Sequence, residues 1–135
     1  NVTFTGPVSK SAMPGVLAAT DVCLATLQDI PMFKTTYPNK VFDYMASGRP
    51  IVLGIDGVIR KVLEDANAGI PVPPGDDAAI DRAVRRLYAD KGLRSKMGEC
   101  GRRHVGEFFN RSKQADQFVD LLRSMVTPRK ARMNE

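Results

Sequence analysis

Residues Thr35–Val52 read TTYPNKVFDYMASGRPIV. A polar stretch with a proline passes into a short amphipathic run, then Ser47-Gly48-Arg49-Pro50, then an apolar pair. The run from about Lys40 to Ala46 has helical character, and Gly48 suits the left-handed residue that ends a helix. Ile51-Val52-Leu53, closed by Gly54, is an apolar run of strand length with no polar alternation. Such a strand is buried on both faces, which points to a parallel sheet with helices packed over it.

The same alternation extends outward in both directions. Val2-Thr3-Phe4-Thr5 reads as a short strand broken by Gly6-Pro7. Ser9 or Ser11 then opens a helix to about Ala19, with Met13, Val16 and Leu17 on one side and Pro14 in its first turn. Val22-Cys23-Leu24-Ala25 is a second strand, and a polar loop from about Gln28 to Pro38 leads into the quoted stretch. Downstream, Ile59, Val62, Leu63 and Ala66 mark one face of a helix from Val58 to Asn67 that Ala68-Gly69 stops. Ile70-Pro71-Val72 is a strand near an edge, because proline cannot donate to a ladder.

Pro73-Pro74-Gly75-Asp76 is a turn, with Asp76 or Asp77 capping the next helix. Three helical patterns follow: Ile80, Ala83, Val84 and Leu87; Leu93, Met97, Cys100, His104 and Phe108; and Ala115, Phe118, Val119 and Leu122. The order is β-α-β-α-β-α-β-α-α-α. The expected fold class is α/β, a doubly wound parallel sheet with helices on both faces and right-handed crossovers. One domain is expected over residues 1–126, followed by a basic, frayed tail over 127–135.

With 43% hydrophobic and 26% charged residues the composition excludes a disordered chain, and no apolar run is long enough to span a membrane. The net charge of +5 is local. Between Asp81 and Arg103, Arg82, Arg85, Arg86, Lys91, Arg94, Lys96, Arg102 and Arg103 outnumber Asp81, Asp90 and Glu99. A basic face of this kind suits nucleic acid, anionic lipid or phosphorylated ligands, or is simply solvated. Tyr88 alone interleaves with these charges, far short of the stacking series that single-stranded nucleic acid needs, and no nucleic-acid partner is expected. Cys23 and Cys100 stand far apart without a partner motif and read as free thiols of a reducing compartment. His104, the one histidine, has apolar neighbours at helical spacing and reads as a packing residue. With no Asp-x-Asp and no His/Cys cluster, no metal and no cofactor are expected.

Open parallel sheets bind ligands outside the carboxyl ends of their strands. The longest segment there runs from Gln28 to Asn39 and delivers a helix start. Helix starts expose unpaired N–H groups and partial positive charge, which suits phosphate. Asn39 is a candidate cap, and Lys40 adds a cation where an anion would lie. Asp43, about a turn in, suits two ribose hydroxyls, because a carboxylate only accepts. The same three residues also fit an unliganded helix, with Asn39 as an ordinary cap and Lys40 solvated.

A resemblance favours the nucleotide reading. Asn39–Val52 resembles the donor-binding segment of nucleotide-sugar-dependent glycosyltransferases of the GT-B fold. More narrowly, it resembles the retaining family whose signature is Glu, seven residues, Glu. Val2–Val8, Ala18-Ala19-Thr20-Asp21-Val22 and Gly69–Asp76 resemble further motifs of that family, in order. The resemblance implies a Rossmann-like domain forming the C-terminal half of a GT-B fold, its first strand-helix unit missing. It implies that Asp43 holds the ribose, that Asn39 and Lys40 contact the diphosphate, and that Gly6, Pro7 and Val8 lie by the base. Thr35 stands where the first acid is usual, and Thr36 and Pro38 belong to the same donor loop. Pro38-Asn39-Lys40 is similar to a branch acting in surface-polysaccharide assembly.

The activity so implied is sugar transfer with retention from a nucleoside diphosphate sugar, UDP being the first choice of carrier. Lys40 would stabilise the leaving group and no metal would be needed. The partners implied are the nucleotide sugar, an N-terminal acceptor domain of the same chain, and an anionic membrane surface or lipid-linked acceptor. A cytoplasmic location is expected, with peripheral attachment at the inner membrane face left open. The chain starts at Asn1 inside an apolar run, as expected of a piece of a longer protein inactive alone. Two rivals are a nucleotide-sugar 2-epimerase of the same fold and a non-catalytic nucleotide- or polyanion-binding module.

Overall fold

A computed structural model describes residues 2–126. Strands β1 (Cys23–Thr26), β2 (Ile51–Gly54) and β3 (Gly69–Pro71) form a parallel sheet in the order β1-β2-β3. The helices are α1 (Met13–Ala18), α2 (Pro31–Lys34), α3 (Asn39–Ala46), α4 (Val58–Ala66), α5 (Asp77–Ala89), α6 (Lys91–Phe108) and α7 (Arg111–Val126).

All four residues of β2 are buried, as its unbroken apolar run requires. Pleating sends Ile51 and Leu53 to one face, where they meet Val41 and Met45 of α3 and Ile59 and Leu63 of α4. Val52 faces the other way, into a cluster with Val72, Ala83 and Leu87 of α5, and Met97 of α6. Each fully buried aliphatic side chain contributes about 1.5–3 kcal/mol. Helices therefore cover both faces, as the sequence implies.

α6 packs its glycines against the segments that lead into β2 and β3, Gly98 against Gly48 and Gly101 against Ala68. A side chain at Gly98 would place its Cβ 2.0 Å from the Gly48 carbonyl oxygen, so only glycine permits this approach. Gly48 has φ +70° and ends α3 as expected. Asp76 accepts from the Ala79 N–H at 2.8 Å and caps α5, while Asp90 does the same for Leu93 and α6.

The structure corrects several expectations. Residues 2–5 form no strand: Val2 and Phe4 are 76% and 94% exposed. Alternation alone does not hold four residues extended without a ladder partner, and none of the described strands pairs with them. The segment from Gln28 to Pro38 is not a plain loop but contains α2, with Pro31 in its first turn. α4 runs to Ala66 and not to Asn67, which is its left-handed cap at φ 50°; Ala68 is buried, and Gly69 already belongs to β3. β3 does lie at an edge of the described sheet, as its proline implied. α7 leaves its apolar positions uncovered, Phe118, Val119 and Leu122 among them. The expected tail over 127–135 lies outside the described residues.

Candidate functional site

α3 begins at the carboxyl end of β1. Val41 and Met45 are fully buried against the sheet, which turns Asn39 and Asp43 to the exposed side of the helix. Lys40 Nζ donates to the Thr26 carbonyl, the last of β1, at 3.5 Å. The helix start therefore stands over the strand ends, with a lysine across the gap.

The cap differs from expectation. Pro38 is the capping residue, at φ −66° and ψ 119°, and Asn39 is already helical. Proline fixes its own φ and pushes the residue before it out of the helical region, so the helix cannot extend backward. Among the described residues no side chain caps α3. The Val41 N–H reaches the Pro38 carbonyl at 3.0 Å, while the N–H groups of Asn39 and Lys40 have no partner within the helix. An uncapped helix start is more open to an anion than the Asn-capped one the sequence suggested.

Thr35 and Thr36 follow α2 and both hydroxyls donate to the Met32 carbonyl, at 3.1 and 2.9 Å. Their oxygens keep lone pairs for a further donor. Lys34 pairs with Asp29 at 3.0 Å, and that partner, with Asp56 beyond it, raises the lysine's pKa. Gly57, at φ +86°, lies so close to this segment that a Cβ would sit 2.0 Å from the Lys34 carbonyl oxygen. The segments after β1 and after β2 thus form one rim.

Gly6, Pro7 and Val8 lie in an irregular, largely exposed stretch, with Gly6 at φ +67°. Two cavities flank Asp43. The larger, about 500 Å³, lies between α1, α3 and α6, and takes Lys10 rather than Gly6–Val8 from that stretch. The smaller, about 150 Å³, joins Asn39 and Asp43 to Phe42, Phe109, Arg111 and Gln114. Asn39 and Asp43 are thus brought together. Arg111 and Gln114 escape sequence reasoning, because only the fold carries the first turn of α7 to α3. Beside them Phe42 packs on Phe109 with ring centroids 4.8 Å apart.

Behind the site, burial pushes the Cys23 thiol up to about 11, with Arg49 pulling weakly the other way. Burial also raises Tyr44. Among the described residues no group of three or more His, Cys, Asp or Glu side chains is placed to hold a metal ion, and no helix is long and apolar enough to cross a membrane.

A family model described as Glycosyl transferases group 1 matches residues 1–90, two thirds of the chain. The chain belongs to this family. Among curated relatives, the D-inositol 3-phosphate glycosyltransferase of Salinispora arenicola is 27% identical over 108 residues, covering 80% of this chain and 23% of that protein. The structure of a sucrose-phosphate synthase from Thermosynechococcus elongatus superposes with a TM-score of 0.77 at 26% identity, covering 91% of this chain and 30% of that one. Anabaena HepE, solved in complex with UDP, has a TM-score of 0.72 at 16% identity, covering 85% and 30%, a likeness of fold alone. The parallel sheet and these neighbours make this group 1 chain an α/β, Rossmann-like domain. It spans less than a third of the length of these proteins.

Proposed function

We propose that this chain is the donor side of a glycosyltransferase, holding a nucleoside diphosphate sugar while its sugar passes to an acceptor. The observation that carries this reading is the uncapped start of α3 above the end of β1, with Lys40 beside it. Family membership and a neighbour of the same fold solved with UDP support it. The diphosphate lies on the Asn39 and Lys40 amides, within reach of the ammonium. The departing diphosphate gains charge as the glycosidic bond breaks, and preorganised donors stabilise it most in the transition state. Asp43 accepts from the ribose hydroxyls, and the Thr35, Thr36 and Pro38 rim faces the sugar. Gly6, Pro7 and Val8 complete the nucleoside side. The charge is neutralised by protein groups, without a metal.

The finer reading is a UDP-sugar donor, retention at the anomeric carbon, and a role in surface polysaccharide or glycolipid synthesis. It places residues 1–126 as one domain beside a separate acceptor domain, at the cytoplasmic side of the cell membrane. The basic residues of α5 and α6 suit an anionic surface there.

Calorimetric titration of the chain with UDP, GDP and ADP tests the reading, against duplex DNA and anionic vesicles. Saturable nucleoside diphosphate binding that weakens in Asp43→Ala is expected. Binding only to the polyanions, with steep salt dependence, refutes it.

A further inference from the structure

The larger cavity beside Asp43 has a chemistry the donor reading does not use. Its floor is apolar, built from Met13, Pro14 and Leu17. Its wall carries Lys10, Arg49 and Arg102 against one carboxylate, Asp43. The three cations come from separate elements: the segment before α1, the turn into β2, and α6. Only the fold brings them to one hollow.

Some surface cations are already committed to carboxylates. Arg60, Lys61 and Arg85 each meet a carboxylate one turn away. Lys10 and Arg102 form no ion pair with any described residue. Arg49 is held by the Ala18 carbonyl through Nη2, while its Nε is buried with no hydrogen-bond partner among the described residues. A buried donor without an acceptor costs free energy, which a turn of the Arg49 guanidinium toward an anion in the cavity would recover. Guanidinium groups match phosphate oxygens in pairs. The volume, about 500 Å³, falls within the range of roughly 300–1,000 Å³ common to small-molecule sites.

We propose that this cavity is a binding site for a phosphate ester whose remaining body is apolar or aromatic, separate from the amides at the start of α3. The phosphate sits among Lys10, Arg49 and Arg102, and the ester body lies on Met13, Pro14 and Leu17. Asp43 borders both sites, so its charge opposes the anion here while its oxygens serve the ribose in the donor reading.

Amide-shift titrations of the chain with phenyl phosphate, with inorganic phosphate and with phosphatidic acid vesicles test this. Phenyl phosphate is expected to bind more tightly than inorganic phosphate, because only it covers the apolar floor. Arg102→Glu and Lys10→Glu, both exposed positions, should each weaken it roughly a hundredfold, since each removes a charge-assisted contact and adds repulsion. Asp43→Asn should tighten it roughly two- to fivefold, in the range of an exposed charge interaction. Lys40→Met should leave it unchanged while weakening UDP, which separates failure of this site from failure of the donor site. Binding to the vesicles alone, lost in Arg102→Glu, also supports the site and assigns the phosphate to a lipid headgroup. No binding of any of the three, or binding indifferent to both Arg102→Glu and Lys10→Glu, overturns the proposal, as does equal weakening by Lys40→Met.

Discussion

Lys40 Nζ lies 3.5 Å from the carbonyl oxygen of Thr26, joining the first turn of α3 to the end of β1. This contact holds the ammonium at the strand ends without an acidic partner among the described residues, so its charge remains available to a ligand. In the donor reading Lys40→Met removes one charge-assisted contact, and UDP affinity should fall about tenfold. Lys40→Glu adds repulsion and should cost roughly a hundredfold. Calorimetry on the two variants checks the order, and equal affinities would remove Lys40 from the diphosphate site.

Asp43→Ala separates binding from stability. The carboxylate is exposed and its helix is anchored by Val41 and Met45, so the melting temperature should hardly change. Nucleoside diphosphate affinity should fall about tenfold, as expected for hydrogen bonds to a charged acceptor. A 2′-deoxyribose diphosphate should bind wild type and variant more nearly alike.

Gly57→Ala should destabilise the domain by about 3 kcal/mol or more, because left-handed strain adds to a backbone collision. The collision is with the Lys34 carbonyl. Thermal unfolding should show a fall of roughly 10 °C. Gly75→Ala is the control: it shares a positive φ of +79° but has nothing within 4 Å, so its loss should be smaller.

The Cys23 thiol gives a pH signature. Its folded pKa is raised from an ordinary 9.0 to about 11 by burial, so the folded state favours the protonated thiol. That contribution is fully present below pH 9 and is lost as the pH rises towards 11, where the unfolded chain is already ionised. Urea midpoints of wild type should therefore fall more steeply over this interval than those of Cys23→Ala. Parallel slopes would contradict the assignment.

The sheet and most helices were legible because burial imposes period. β2 reads directly from Ile51-Val52-Leu53, and α4 from Ile59, Leu63 and Ala66, since each face meets a core. Residues 2–5 show the converse: they alternate like a strand, but alternation records a wish for a partner and not its presence. The Asn39 cap failed for a local reason, since Pro38 already sets the boundary that Asn39 was expected to mark. Lys40 and Asp43 stood out because charge at a helix start has few uses. Lys10, Arg49, Arg102, Arg111 and Gln114 did not, because their nearness to Asp43 depends on how distant helices pack.

The bare Cα at position 57 ties two stretches of sequence into a single unit of inheritance. Grafting residues 28–38 from a relative would move the Lys34 carbonyl against whatever occupies position 57. Exchange of that loop should succeed only when residues 54–58 travel with it, so recombination between family members is constrained at this pair before any ligand is considered.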